Sequence, residues 1–406
     1  MTGRTGMPVG RHTGALSRTG LRRVLAVLCC TEITSWGVLY YAFPVLAPAI
    51  ARNTGWSATW VTAAFSAGQV TAAVAGIPVG RWLDRWGPRR VMTAGSVLAV
   101  PAVLGIATAR TIPWFVAAWI VAGCAMAAVL YPPAFAALTR WWGQRRVRAL
   151  TAVTLVAGLA STVFAPLTAL VSAHLDWRHT YVVLAAVLAV VTIPAHLFGL
   201  AGHWPAGEAG HEVAPPRSVY RSRAFVLLAV ALSLAAFAIY AVVVNLVPLL
   251  VGRGMATSTA ALALGLGGVG QVSGRLGYGK LVAVTSVRTR TSLVLGAAAA
   301  TIALLAVVPG PTVLVILIAM LVGATRGVFT LVQATAVSDR WGAAHFGRLN
   351  GLLSAPATLA MSVAPWAGTA LAVWLGGYPR VFLLLGVVGV VAAVIATTSV
   401  PARRSD

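Results

Sequence analysis

The sequence predicts an all-α membrane protein with twelve transmembrane helices in two pseudo-symmetric six-helix halves. Three observations lead to this fold class. Charged residues make up only 9% of the 406 residues, against roughly 25% in an ordinary soluble domain. The apolar residues form long runs without charge, such as 224–251 and 349–379, and a bilayer-spanning helix needs about 20 mostly apolar residues. The basic residues fall mainly in every second segment between these runs.

Segments rich in Gly, Pro and charge divide the apolar runs into two sets of six. The predicted helices are residues 24–50, 58–83, 91–109, 113–138, 149–173 and 180–201, followed by 224–251, 258–282, 290–308, 312–337, 349–375 and 380–400. These sets predict an N-terminal bundle at 24–201 and a C-terminal bundle at 224–400. Residues 202–223 are predicted to form a cytoplasmic central loop, and residues 1–23 and 401–406 cytoplasmic tails.

The basic residues also orient the spans. With the N-terminus in the cytoplasm, the cytoplasmic segments hold 23 of the 30 basic residues and the external loops hold 5. Cytoplasmic loops of membrane proteins carry this excess, so both termini are predicted to be cytoplasmic. The net charge of +23 is thereby explained by topology, and no nucleic-acid partner is expected. The use of 29 Arg and one Lys suggests a GC-rich, bacterial genome, and therefore a multi-pass protein of the cell inner membrane.

Other classes of protein find little support in the sequence. Cys29, Cys30 and Cys124 lie in apolar runs without the spacing of a metal site. No P-loop is present, and Gly265–Gly270 matches G-x-G-x-x-G inside an apolar run without a βαβ unit around it, so we interpret it as a helix-packing segment. The histidines are scattered, and the chain has seven acids. We therefore expect no enzyme activity, no cofactor and no metal site.

The segment between predicted helices 2 and 3 carries a specific motif. It reads Gly80-Arg81-Trp82-Leu83-Asp84-Arg85-Trp86-Gly87-Pro88-Arg89-Arg90, which resembles the G-x-x-x-D-R-x-G-x-R-R signature of the major facilitator superfamily. The resemblance implies a secondary transporter whose two halves rock in alternating access. The residues expected to form a cytoplasmic gate are Gly80, Asp84, Arg85, Gly87, Arg89 and Arg90. Gly80 is expected to let two helices approach closely, and Asp84 and the arginines to form a breakable charge network. A copy at 279–283 has Ala283 in place of the acid, which predicts a weaker gate in the second half.

A narrower resemblance is to the monocarboxylate and oxalate:formate porters. The residues that carry it are Tyr131-Pro132-Pro133, Trp141-Trp142, Arg145-Arg146 and Ala157-Gly158. Arg275 in helix 8 is similar to the arginine that binds the substrate carboxylate in that branch. Helix 11 has no lysine, whereas the oxalate:formate porters use one there, so the resemblance does not imply dicarboxylate exchange.

Three charged residues lie deep inside predicted spans, well away from the ends: Glu32 in helix 1, Arg275 in helix 8 and Arg326 in helix 10. An ionisable group in a span costs at least ~2.5 kcal/mol on insertion scales, so it is a functional candidate. In the superfamily these helices line the central cavity. We predict that Arg275 holds an anionic substrate through its guanidinium fork, that Arg326 adds a second positive contact, and that Glu32 carries protons. The empty transporter is predicted to keep Glu32 paired with an arginine.

Polar residues at other positions are further candidates for substrate contacts. They are Tyr40, Tyr41, Tyr131, Asn245 and Gln333. Each could instead form a helix-packing hydrogen bond. Glu32 and an arginine could likewise form a static ion pair between the halves, and Arg275 could extend its charge to the cytoplasmic surface.

Transport of a small organic solute, a monocarboxylate-type anion coupled to protons, is the leading prediction. Proton-driven efflux of an apolar or amphipathic compound is the alternative within transport, although helix 5 lacks a Gly-Pro-Gly-Gly signature between Gly158 and Pro166. A non-transporting membrane sensor is the alternative from another class. The expected partners are a small-molecule substrate and the lipid bilayer, and the chain is expected to act as a monomer.

Overall fold

The computed structural model describes residues 16–143, 146–204, 217–341 and 346–399. Within these ranges every regular element is a helix. The helices are α1 Arg18–Trp36, α2 Ala42–Thr54, α3 Ala58–Thr108, α4 Ile112–Val129, α5 Tyr131–Trp142, α6 Arg146–Ala157, α7 Ala160–His174, α8 Trp177–Pro194, α9 Arg217–Tyr220, α10 Arg223–Gly252, α11 Thr257–Val284, α12 Val287–Val307, α13 Thr312–Thr335, α14 Ser338–Trp341, α15 Phe346–Leu375 and α16 Tyr378–Thr397. Two π-helical turns, Gly37–Tyr41 and Ala195–Gly199, follow α1 and α8.

Ten helical stretches in this part of the chain are long and apolar enough to cross a membrane. The all-α class and the membrane-spanning character of the fold are thereby confirmed. The longest stretch, α3, has 51 residues and contains predicted helices 2 and 3. It changes direction at Gly87, whose φ of 76° a glycine adopts without steric penalty. Pro88 then begins the next segment, as proline does in a first helical turn.

Short polar side chains fix where several helices begin. Ser57, Ser222 and Ser286 precede α3, α10 and α12, and each hydroxyl accepts a hydrogen bond from a backbone N–H in the first turn, at 3.1–3.3 Å. The carboxylate of Asp176 does the same for α8 at 2.8 Å. These are the side chains that satisfy the open N–H groups of a helix start.

Two predicted spans are broken rather than continuous. Predicted helix 4 divides at Leu130, whose ψ of −169° is extended, and α5 begins at Tyr131 with proline in its first turn. Predicted helix 5 divides between α6 and α7, at Gly158 and Leu159. Pro132 and Pro133 have no backbone N–H to donate to the carbonyls four residues earlier, which accounts for the first break. The two breaks place Tyr131 and Gly158 where the charged residues of the site come close.

Glycines bring α11 and α13 into backbone contact. A Cβ atom added at Gly270 or Gly274 of α11, or at Gly323 or Gly327 of α13, would overlap a backbone carbonyl of the other helix. Small residues at such positions are what lets membrane helices approach closely. The interpretation of Gly265–Gly270 as a packing segment is confirmed.

Some predictions about domain organisation lie outside the described residues. Residues 1–15 and 400–406 include most of the predicted tails, and residues 205–216 are the middle of the predicted central loop. The sixth predicted span, 180–201, corresponds to α8 and its π-helical turn, which together run from Trp177 to Gly199.

Candidate substrate site and cytoplasmic charge network

Glu32 is fully buried in α1. Its Oε2 atom accepts a hydrogen bond from Nε1 of Trp36, one helical turn further along, at 3.1 Å. Its Oε1 atom has no partner among the described residues. The predicted resting ion pair between Glu32 and an arginine is therefore wrong: none of the salt bridges found in the described ranges includes Glu32. Trp36 takes that place because the i,i+4 spacing puts it on the same face of the helix.

Aromatic rings continue from Glu32 along the first span. The ring centroid of Trp36 lies 5.1 Å from that of Tyr131 and 5.5 Å from that of Tyr40. Tyr40 in turn lies 5.2 Å from Tyr41, and the Tyr40 hydroxyl is buried without a partner among the described residues. Both tyrosines belong to the π-helical turn Gly37–Tyr41, and such turns occur frequently at functional sites.

Arg326 of α13 is 3% exposed and faces the same aromatic group. One terminal nitrogen donates a hydrogen bond to Oε1 of Gln271 on α11. The guanidinium carbon lies 5.9 Å from the ring centroid of Tyr41, within the range of a cation–π interaction. The Nε atom has no partner in the described part of the chain. Arg326 therefore brings a positive charge to the tyrosines of the π-helical turn, and its buried Nε–H group has no acceptor among the described residues.

Arg275 of α11 lies beside Arg326. Its terminal nitrogens donate to the backbone carbonyl of Thr154 on α6 and, at 3.3 Å, to the hydroxyl of Thr330, one turn after Arg326 on α13. Its Nε atom also has no partner among the described residues. The helix break at Gly158 makes room for this side chain, because a Cβ atom there would lie 3.1 Å from Nη1 of Arg275.

The charged and aromatic residues form one cluster. Tyr131 of α5 lies within electrostatic range of Glu32 and Arg275. Tyr240 of α10 lies within the same range of Arg275 and Arg326. Residues of five predicted spans therefore contribute to the cluster, and contacts run from Glu32 through Trp36, Tyr40 and Tyr41 to Arg326.

Two predicted substrate contacts lie apart from this cluster. The amide nitrogen of Asn245 donates to the carbonyl of Ala241 at 2.8 Å, and its oxygen accepts from the hydroxyl of Thr369 at 2.8 Å. Asn245 therefore joins α10 to α15 through helix-packing hydrogen bonds, the alternative to a substrate contact. Gln333 is half-buried, seven residues beyond Arg326 on α13, and forms no side-chain hydrogen bond within the described ranges.

Three members of the cluster were not assigned to it from the sequence: Trp36, Thr330 and Tyr240. The i,i+4 spacing from Glu32 to Trp36 and from Arg326 to Thr330 was the available signal, because residues at that spacing share a helix face. For Tyr240, the one available sequence signal is a polar hydroxyl group within an apolar run.

The motif between predicted helices 2 and 3 forms a charge network. Oδ1 of Asp84 lies 2.6 Å from a terminal nitrogen of Arg140. The indole of Trp204 donates to the carbonyl of Asp84 at 3.2 Å, and its ring lies 4.6 Å from the guanidinium carbon of Arg140. Arg89 donates through Nε to the carbonyl of Leu197 at 2.7 Å. All of these contacts join residues between 84 and 204, so in this conformation the network ties together helices of the first six spans.

The glycines of the motif differ in their surroundings. The close helix approach predicted at Gly80 is wrong, because a Cβ atom there would meet nothing within 4 Å. The close approach occurs instead at Gly87, where a Cβ atom would lie 3.0 Å from the Trp204 ring. Arg85 and Arg90 are exposed. The motif therefore needs glycine where the chain turns rather than where predicted helix 2 ends.

The second half of the chain has an ion pair of its own at the equivalent end. Ala283 lacks a carboxylate, but Asp339 lies 2.5 Å from a terminal nitrogen of Arg290. The arginine side chain is 5% exposed and the aspartate 26%, against 25% for Arg140 and 65% for Asp84. The prediction of a weaker network in this half is therefore not supported, because a different residue supplies the acid.

Comparisons with known proteins agree with this architecture. Monocarboxylate transporter 11 of Mus musculus is 30% identical over 250 residues, which cover 59% of this chain and 54% of that protein. Monocarboxylate transporter 11 of Homo sapiens is also 30% identical over 250 residues, with 59% and 51% covered. The chain thus spans about half the length of the curated relatives it matches.

Solved structures share the fold over nearly the whole chain. A bacterial homologue of the human lysosomal transporter Spinster, inward-facing and unoccupied, has a TM-score of 0.75 at 15% identity and covers 95% of this chain and 98% of its own. The nucleoside transporter NupG has a TM-score of 0.75 at 13% identity, with 93% and 99% covered. The family model of the Major Facilitator Superfamily matches residues 28–320. Since that match exceeds half of the sequence and the helical fold agrees with it, the chain belongs to the Major Facilitator Superfamily.

Proposed function

We propose that the chain is a secondary active transporter that moves a small organic anion of monocarboxylate type together with a proton. The observation that carries this proposal is a set of buried polar atoms without partners among the described residues. They are Nε of Arg275, Nε of Arg326, Oε1 of Glu32 and the hydroxyl of Tyr40. An unsatisfied buried polar group costs about 1–3 kcal/mol. A bound carboxylate would satisfy the two guanidinium groups, and a proton would neutralise Glu32.

The charge of the cluster favours a monoanion. With Glu32 ionised, the empty cluster would carry one net positive charge, which attracts an anion. Binding one carboxylate group together with a proton on Glu32 would leave that net charge unchanged, so one monoanion matches one proton. Arginine suits this role because its planar fork can donate two parallel hydrogen bonds to a carboxylate. The similarity to monocarboxylate transporter 11 supports the same substrate class.

The membrane topology of the proposal has twelve spans. The break at Gly87 divides α3 into two segments, and α11 has 28 residues, enough for about 42 Å at 1.5 Å per residue. Added to the ten stretches described above, these give two six-helix bundles at 24–201 and 224–400. Both termini would then lie in the cytoplasm, in agreement with the distribution of basic residues, and the cell inner membrane would be the location.

Alternating access would move the two bundles against each other. Contacts between them in this conformation include the backbone N–H of Trp366, which donates to Oγ of Ser66 at 3.1 Å, and the hydroxyl of Thr162, which donates to the carbonyl of Gly265 at 2.8 Å. Hydrogen bonds of this kind can break and reform as the bundles rock around the site.

Uptake into proteoliposomes tests the substrate class. We would measure a panel of radiolabelled small monocarboxylates, with and without an inward proton gradient, for the wild type, Arg275→Ala and Arg275→Lys. Hydrogen bonds to charged groups contribute about 1.5–3 kcal/mol, so Arg275→Ala is expected to raise KM at least about tenfold. Lysine keeps the positive charge but lacks the planar guanidinium fork, so the KM of Arg275→Lys should lie between those of the wild type and Arg275→Ala. Arg52→Ala, which removes an exposed arginine of α2, is the control.

Efflux of an amphipathic compound is the second candidate. The rings of Trp36, Tyr40 and Tyr131 beside a buried acid favour it, because aromatic faces bind apolar solutes. If no monocarboxylate moves with folded protein in the liposomes, while an aromatic dye is expelled under a proton gradient, efflux takes first place.

A further inference from the structure

Gln271 is buried in α11, one helical turn before Arg275, and is 6% exposed. Its side-chain oxygen accepts the hydrogen bond from Arg326 of α13. Because a guanidinium group only donates hydrogen bonds, this contact fixes the orientation of the amide, with its nitrogen turned away from Arg326. The proposed function assigns no role to this glutamine.

Two reciprocal hydrogen bonds join α11 to α13 at this level. Gln271 and Arg275 share one face of α11, because they are four residues apart, and Arg326 and Thr330 share one face of α13 for the same reason. Arg326 donates across the interface to Gln271, and Arg275 donates back to Thr330 at 3.3 Å. Each arginine is therefore held by a neutral side chain that lies one turn from the other arginine.

The backbones of the two helices fix the positions of these side chains. A Cβ atom added at Gly327, which follows Arg326, would lie 2.1 Å from the backbone oxygen of Gln271. A Cβ atom added at Gly274 would lie 2.3 Å from the backbone oxygen of Ala324. Glycines at such positions let membrane helices come into backbone contact, so a change of the side chain at position 271 acts directly on Arg326.

The hydrogen-bond partners of the two arginines carry no charge in the part of the chain that the structure describes. Arg275 donates to the backbone carbonyl of Thr154 as well as to Thr330, and none of the salt bridges found there includes either arginine. Arginine stays protonated in proteins, so only an acid can cancel its charge. The neutral amide of Gln271 leaves the charge of Arg326 uncompensated, whereas a glutamate, which has the same size, would pair with it.

We propose that Gln271 sets the charge selectivity of the site, because its neutral amide positions Arg326 and leaves the positive charge of the guanidinium group to bind an anion. Gln271 is thus a positioning residue that acts through Arg326. This inference rests on the proposed transport of an organic anion. It adds to that proposal the residue that separates an anion from a neutral solute of the same shape.

Equilibrium binding to the purified protein tests the inference. The probes are the radiolabelled small monocarboxylates of the uptake panel and, for each, the uncharged primary amide with the same carbon skeleton. The ratio of the two Kd values measures charge selectivity, and the wild type should prefer the carboxylate. Gln271→Glu should lower this preference at least about tenfold, because the probe then meets an acid beside Arg326. Gln271→Met has a similar size without an acceptor or a charge, so it should lower the preference less, since Arg326 loses its position but keeps its charge.

The matched control is Val284→Glu, which adds the same charge to the end of α11 at a position that is 80% exposed and should keep the wild-type preference. A wild-type preference in Gln271→Glu would overturn the inference alone. Equal losses in Gln271→Glu and Gln271→Met would also overturn it, because Gln271 would then serve packing only. A wild type that binds carboxylates no better than their amides would overturn the proposed anion transport, and this inference with it. Melting temperatures show whether each variant is folded, and if Gln271→Glu does not fold, an unchanged preference in Gln271→Met overturns the positioning role.

Discussion

Replacing Glu32 with Gln should separate proton coupling from substrate movement. Glu32 is the one buried acid in the described part of the chain, since Asp84, Asp176 and Asp339 are exposed. One titratable carboxyl group in the site implies one proton per transport cycle. For electroneutral movement of one monoanion with one proton, a gradient of one pH unit can then support about a tenfold accumulation of substrate. Gln keeps the size of the side chain and its oxygen can still accept from Trp36, but it carries no proton.

The assay is a pair of measurements on the same proteoliposomes. In the first, uptake is followed to its plateau under an inward gradient of one pH unit, and the wild type should approach about tenfold accumulation. In the second, labelled substrate enters against an excess of unlabelled substrate inside, without a gradient. Glu32→Gln should lose accumulation and retain this exchange. Asp176→Asn is the matched control, because it changes an exposed acid at the start of α8 and leaves the site intact.

Accumulation near tenfold in Glu32→Gln would refute this reasoning, because the proton would then travel on another group. Loss of both accumulation and exchange, with an unchanged melting temperature, would assign Glu32 to substrate binding instead. A plateau near a hundredfold in the wild type would require a second proton, and the one-carboxyl argument would be wrong.

Two further predictions concern packing and gating. Gly323→Ala places a Cβ atom against the carbonyl of Gly267 and should destabilise the protein by about 1–3 kcal/mol, measured as a lower melting temperature. The control Gly277→Ala, whose Cβ atom meets open space, should leave the melting temperature unchanged. Equal melting temperatures of the two variants would contradict the close packing of α11 and α13. Asp84→Ala removes a mostly exposed ion pair with Arg140 and should cost less than about 1 kcal/mol of stability. The same variant should lower the initial rate of substrate uptake. An unchanged uptake rate would show that this ion pair is not part of the proposed gate.

The membrane fold could be predicted from the sequence because spans depend on length and hydropathy, which are local properties. The lack of charge between residues 224 and 251 predicts α10, Arg223–Gly252, within one residue at each end. Local hydropathy does not record where a helix changes direction. Gly87 turns the backbone in the charged segment between two predicted spans, where α3 continues as one kinked helix instead of a loop. Leu130 breaks predicted helix 4 into two helices inside apolar sequence.

The buried charges of the site could also be found from the sequence, because a charge inside a span is rare and costly. Their partners could not. The predicted pairing of Glu32 with an arginine assumed that opposite charges meet. Instead Glu32 accepts a hydrogen bond from Trp36 on its own helix, and Arg275 donates to Thr330 on the neighbouring helix α13. The predicted close approach of two helices at Gly80 is wrong because a glycine allows such an approach only where another element packs against it, and the sequence does not show which element faces a residue.

The backbone contact between α11 and α13 has a consequence for the transport cycle. Arg275 and Arg326 lie on these two helices, and glycines spaced along both leave no layer of side chains that could shear. The backbones that carry the two arginines are therefore held in contact, so we expect the spacing of the two guanidinium groups to change little during the cycle. Helix α1 with Glu32 belongs to the other proposed bundle. If the bundles rock as proposed, a solute meets the same pair of cations from either side of the membrane. The direction of net movement would then depend on the gradients alone, and a solute whose anionic group does not fit that spacing would be rejected from both sides.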